Sequence, residues 1–106
     1  RRKGIKANVV MYTIIIDSLC KCGHVIEAHD LYLTMIDLGI MPSIITYTSL
    51  IHGYCIMEKS KEATQLLDEM VLKTIKPDLC TFNVLIDAFG KQGKIIEAQT
   101  VFARMM

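Results

Sequence analysis

The chain contains no tryptophan and only two prolines in 106 residues. Scarce proline leaves long stretches free to be helical, since proline is the residue that interrupts a helix interior. Long apolar runs are missing too. The longest, VVMYTIII from Val9 to Ile16, contains a threonine and falls far short of the roughly 20 residues needed to cross a bilayer, so no membrane span is expected. Charge of one sign is also lacking: 12 basic residues against 11 acidic ones leave a net charge of +1. That balance neither demands nor excludes a polyanionic partner, because placement of the cations decides the matter. The four cysteines, Cys20, Cys22, Cys55 and Cys80, lack the tight spacing of a small secreted scaffold and read as reduced thiols of an intracellular compartment. The opening RRKGIKANVV is basic, but no apolar core with a small-residue cleavage site follows it, so it reads as no targeting signal. With 52% apolar residues, the chain is globular and at most one domain.

What the sequence does have is a period. Tyr12, Tyr47 and Phe82 are 35 residues apart, and so are Ala28, Ala63 and Ala98, Glu27, Glu62 and Glu97, Met35, Met70 and Met105, and the pair Pro42 and Pro77. Repetition at such a period marks an array of supersecondary units. The units are read as 9–43, 44–78 and 79–106, the last incomplete, with 1–8 as the tail of a preceding unit. An array cut mid-unit at both ends has the look of a fragment.

Each unit carries two segments in which apolar residues recur at i, i+3, i+4 and i+7, the spacing that shares one helix face. The first segments are Tyr12, Ile15, Ile16, Leu19; Tyr47, Leu50, Ile51, Tyr54; and Phe82, Leu85, Ile86, Phe89. The second are Ala28, Leu31, Tyr32, Met35; Ala63, Leu66, Leu67, Met70; and Ala98, Val101, Phe102, Met105. Helix is therefore predicted even over Ile44 to Thr48, whose β-branched and aromatic residues favour a strand by propensity. Gly23 and Gly93 punctuate the hairpins, and Gly39-Ile40-Met41-Pro42 and Lys76-Pro77-Asp78 close the units. The middle unit has Glu58 and Thr74 where the first has glycines, and a slightly strained or reshaped turn is expected there. A two-helix hairpin cannot bury both apolar faces alone, so neighbours must stack into an all-α solenoid. First helices would line one side and second helices the other. An isolated piece of three units would expose apolar ends, be marginally stable and self-associate.

Chemistry of other kinds finds little support. Cys20, Cys22 and His24 do not have a usual zinc spacing, and buried or half-buried thiols are favoured instead. FGKQGKI, from Phe89 to Ile95, lacks the spacing of a phosphate-binding loop. No Ser, His, Asp or Cys, His set is local enough for catalysis, and His29 and His52 have no helical partner of metal-binding type. Glu27, Glu62 and Glu97 suit the positive end of a second-helix dipole. Neither an enzyme nor a cofactor is expected.

TYTSLIHGYC, TFNVLIDAFGKQGKIIEA and YTIIIDSLCKCGHVIEA, each followed by a helix ending in Met, with Gly-Ile-x-Pro or Ile-Lys-Pro-Asp closing two of the units, resemble pentatricopeptide repeats over essentially the whole chain. The unbroken 35-residue units are similar to the plain subclass found in restorer-of-fertility-like plant proteins. The tetratricopeptide repeat is the nearest rival, with a 34-residue unit and an early tryptophan that this chain lacks.

The resemblance implies a right-handed superhelix that binds single-stranded RNA in mitochondria or chloroplasts, one base per repeat. By that resemblance the base readers are Thr13 with Ser43, Thr48 with Asp78, and Asn83 with a partner beyond Met106. Val10, Ile45 and Cys80 would sandwich the bases. The implied target is purine, guanine, pyrimidine. The residue chemistry agrees: an Asp carboxylate accepts from guanine's ring N–H and amine, and an Asn amide offers both donor and acceptor to a pyrimidine.

Structural roles stand beside these. Ser43 and Asp78 follow a proline and precede a helix, as N-caps do. Lys21 and Lys91 are candidate phosphate contacts, yet they also complement the negative end of a helix dipole. Ile56 takes their place in the middle unit. Protein partners would use the outer helices. The competing reading of the whole chain is a tetratricopeptide-like scaffold that holds peptide in the same groove, and an RNA-processing enzyme would need a domain outside these residues.

Overall fold

A computed structural model describes residues 8–94, 96, 99, 100, 103 and 104. The expected second-helix face of the last unit, Ala98, Val101, Phe102 and Met105, lies outside the described residues, as do Glu97 and residues 1–7. Among the described residues five helices, each of 13 residues, are bounded at both ends: α1 (Val9–Lys21), α2 (Val25–Asp37), α3 (Ile44–Ile56), α4 (Ser60–Leu72) and α5 (Leu79–Lys91). Among the described residues there is no strand.

The segment from Ile44 to Thr48 is the first turn of α3, against its β propensity. Two local features start the helix. The Ser43 side chain accepts from the Thr46 amide at 3.4 Å, and the Thr46 hydroxyl accepts from the Ser43 amide at 3.1 Å, a reciprocal cap. Packing then holds it: Tyr47, Leu50 and Ile51 are wholly buried and Tyr54 nearly so. Burial of each such side chain is worth about 1.5–3 kcal/mol, more than the few tenths that separate helix propensities here.

First helices pack on first helices, α1 on α3 and α3 on α5, and α1 and α3 also pair with their own second helices, α2 and α4. The second helices α2 and α4 lodge against the following first helix, not against each other's backbones. Long side chains close that gap: the Tyr32 hydroxyl of α2 meets Tyr47 of α3 at 2.8 Å and also reaches the Glu69 carboxylate of α4. Burial, with Glu69 alongside, holds the Tyr32 phenol protonated far above its ordinary range. Enclosed by four neighbours, α3 buries eight of its 13 residues, whereas α1 buries three. Ile15 shows what this costs at the open side of the stack: it is 49% exposed, while its counterparts Leu50 and Leu85 are fully buried.

The turn at Glu58 keeps the same form as its glycine counterparts. Gly23 and Gly93 have φ of 84° and 73°, and Glu58 has 59°; likewise Gly39 has 79° and Thr74 has 60°. The expected strain is present and the reshaping is not. A β-branched threonine in the left-handed region is unusually costly. Thr74→Gly is therefore expected to raise the unfolding free energy by about 1 kcal/mol, and Glu58→Gly by somewhat less, read as upward shifts in a thermal melt.

Cys20 and Cys55 are buried and unpaired, and burial pushes each thiol up from 9.0 to about 11, with Asp17 adding to the first and Asp87 to the second. Thiols that stay neutral at physiological pH serve as packing groups. Cys22 departs from the expectation of a buried or half-buried thiol: it caps the end of α1 and is exposed, because the chain has already left the helix face there.

Candidate nucleic-acid interface

The first turns of α1, α3 and α5 stand side by side, and the residues that the family resemblance singles out fall along that row. Val10 and Ile45 are 61% and 63% exposed, unusual for large apolar side chains on a packed helix, and Cys80 at the same phase is also exposed. They offer flat apolar contact to a ligand's faces. Thr13 is buried, Thr48 half-buried and Asn83 exposed.

Between α3 and α5 lies a cleft of about 340 Å³. Ile45 and Cys80 line it, and so do Thr48 and Asp78, together with Asp17, Ile44, Ser49, His52 and Val84. The structure thus gathers one complete pair of expected base readers and two successive sandwiching residues around a single opening. A second cleft of about 1020 Å³ adjoins it, with Asn83, Lys91, His52, Cys80 and Val84 in its lining.

Ser43 and Asp78 are N-caps. The Asp78 Oδ1 accepts from the Thr81 amide at 3.0 Å and from the Thr81 hydroxyl at 3.1 Å. Capping engages only one carboxylate oxygen, so Asp78, which is exposed, keeps the other for a ligand. The cap role and a reading role are compatible at this residue. Asn8 caps α1 in the same way, through the Met11 amide at 3.0 Å.

Lys21 and Lys91 sit in the last turns of α1 and α5, as the dipole reading requires. Each also pairs with an aspartate one turn back, Lys21 with Asp17 at 3.0 Å and Lys91 with Asp87 at 3.2 Å, and both remain largely exposed. Exposed pairs of this kind contribute little to stability, which leaves the ammonium groups free to exchange partners.

Thr46 and Thr81 join the row only in the folded chain. The Thr13 and Thr46 hydroxyls meet at 2.7 Å, and those of Thr48 and Thr81 at 2.8 Å. Each is a contact between one repeat and the next, so each places a candidate reader against the capped first turn of the next repeat's first helix. The signal was present as Ser-x-x-Thr and Asp-x-x-Thr, a capping pattern repeated at 35 residues. His52 has no helical metal partner, yet it lines both clefts, at the phase held by Asp17 and Asp87. Among the described residues no group of three metal-ligating side chains comes together.

Comparison with known proteins agrees with this architecture. A model of the PPR repeat family matches residues 7–56 and 42–91, and a PPR repeat model matches residues 80–106. No curated protein matches the chain. The crystal structure of the pentatricopeptide repeat protein PPR10 in complex with an 18-nt psaJ RNA element is similar, with 30% identity and a TM-score of 0.87 over 91% of this chain. PPR10 from maize in another crystal structure gives 29% identity and a TM-score of 0.83 over 95%. The PPR domain of Arabidopsis thaliana protein-only RNase P 1, in complex with tRNA, shares the fold at 18% identity and a TM-score of 0.76 over 92%. This chain spans 14% of the length of PPR10 and 50% of that PPR domain. With family models covering nearly all of it, the chain belongs to the PPR repeat family.

Proposed function

We propose that this chain is a binding segment for single-stranded RNA that reads one base per repeat, with no catalytic role of its own. The observation that carries the reading is the α3–α5 cleft, where Thr48, Asp78, Ile45 and Cys80 converge. Apolar groups flank a space edged by a hydroxyl and a carboxylate, which is the arrangement that holds an unstacked base by its faces and reads it by its edge. The similar solved structures described in complex with an RNA element and with tRNA support the ligand class. Thr13 with Ser43, Thr48 with Asp78, and Asn83 are the readers; Val10, Ile45 and Cys80 hold the base faces; Lys21 and Lys91 meet phosphates. The target order is purine, guanine, pyrimidine. Placement in a plant mitochondrion or chloroplast, within a longer plain-type, restorer-like array, accords with the maize and Arabidopsis relatives.

A peptide-holding scaffold would be indifferent to a polar exchange at Thr48, while a base reader would not. Thr48→Asn is expected to move the preferred middle base of a trinucleotide from guanine to a pyrimidine. NMR titration of the labelled chain with AGU, AAU, ACU and AUU at one salt concentration measures it. Three bases at about 1–3 kcal/mol each barely exceed the cost of association, so weak binding is expected and NMR is the suitable probe.

A further inference from the structure

We infer that Thr81 is a positioning residue that sets the hydrogen-bond polarity of the Thr48 and Asp78 site, while its counterpart Thr46 leaves the Thr13 and Ser43 site with a free proton. This inference rests on the base-reading function proposed above.

An ionised carboxylate only accepts, and a threonine hydroxyl has one proton to give. Thr81 Oγ1 lies 3.1 Å from Asp78 Oδ1, so its proton goes to Asp78. Its oxygen also lies 2.8 Å from Thr48 Oγ1, and with its own proton spent it accepts there. Thr48 must then donate to Thr81. Thr81 is wholly buried, so no solvent molecule replaces either link. Two protons fill two hydrogen bonds, and the pair presents only acceptors to the cleft: the Thr48 lone pairs and the outer Asp78 oxygen. Among base edges, guanine offers adjacent donors, its ring N–H and its amine. Adenine, cytosine and uracil each place an acceptor beside a donor.

The preceding site has the same layout with a different count. Thr13 Oγ1 meets Thr46 Oγ1 at 2.7 Å, and Ser43 Oγ meets it at 3.2 Å. Three hydroxyl protons serve two contacts, so one proton remains, and it sits at Thr13 or Ser43 according to which way the chain is oriented. A site that presents either a donor or an acceptor takes adenine and guanine alike. The difference between a selective and a permissive repeat thus resides in the cap: a carboxylate orients the relay, and a hydroxyl does not.

The test is NMR titration of the whole 106-residue chain with AGU, AAU, ACU, AUU and the first-base variants of AGU at fixed salt, comparing Thr81→Val and Thr81→Ser with the parent. Valine keeps the shape and the backbone amide that Asp78 caps, but frees the Thr48 proton. The ratio of guanine to adenine affinity at the middle base should fall about fivefold in Thr81→Val and be retained in Thr81→Ser, with helix content and melting temperature recorded for each. At the first base the parent should bind adenine and guanine within about twofold of each other. If the valine chain loses its helical signal, Thr81→Ala removes the hydroxyl without setting a methyl beside the carboxylate. An unchanged ratio in a folded chain lacking the hydroxyl, beside a parent that prefers guanine, overturns the relay and leaves base reading standing. A parent that binds all four middle bases alike overturns both.

Discussion

Gly53→Ala is expected to be the most damaging single-methyl change in the described structure, lowering the unfolding free energy by about 1–3 kcal/mol. Gly53 begins the last turn of α3, buried where that helix crosses the α1–α2 hairpin. A Cβ built there would stand 2.6 Å from the Cys20 sulfur, 2.8 Å from the Cys20 Cβ and 3.0 Å from Val25 Cγ2. The Cys20 Cβ cannot swing aside as a flexible side-chain end can, so α1 and α3 must separate. Gly90 supplies the control. It lies inside α5, is exposed, and a Cβ on it meets nothing within 4 Å. Alanine there should be neutral or stabilising by about 0.5–1 kcal/mol, since it removes only a glycine's conformational freedom. Urea melts of the two variants separate a packing effect from a general one; equal stabilities would show that the repeats do not press together at Gly53.

Asp78→Asn is expected to leave stability nearly unchanged and to cost the middle site its guanine preference, by more than about tenfold. Asparagine and aspartate serve equally well as N-caps, so α5 should still start at Leu79. What changes is the outward group. The free carboxylate oxygen, a charged acceptor for guanine's donors, becomes an amide nitrogen that donates. Beside an acceptor-only Thr48, a donor complements adenine's ring nitrogen and amine, so the preference should move toward AAU. Titration at constant salt is essential, because losing a negative charge raises affinity for every RNA and must not be mistaken for a change of preference.

The architecture was legible because packing repeats itself. Six matches to one helical face fix helix type more firmly than the local β propensity of Ile44 to Thr48 opposes it, and the period gives the stacking order without further information. The left-handed turn at Glu58 and Thr74 was harder to foresee. Local chemistry argues for a reshaped loop, but the flanking helices of a regular array hold the turn in the glycine form, and the residue absorbs the strain. The candidate readers were legible only through the family resemblance, which assigns roles to positions that the phase merely aligns. What the sequence did not reveal is the contact between phases: Thr48 and Thr81 stand 33 residues apart and touch because α3 and α5 lie in parallel register. A one-dimensional pattern marks Thr81 as a capping residue and says nothing of its second partner. His52 escaped for a related reason, since its place over two clefts depends on how helices from different repeats meet.

Base reading at the α3–α5 cleft is proposed to act through Thr48 and Asp78. The most direct measurement is the parent chain titrated with AGU, AAU, ACU and AUU at one ionic strength, following the amide signals of Thr48, Asp78 and their neighbours. AGU is expected to bind most tightly, with the largest shifts along the cleft edge. Equal binding of all four, or shifts confined to the outer faces of α2 and α4, would contradict it.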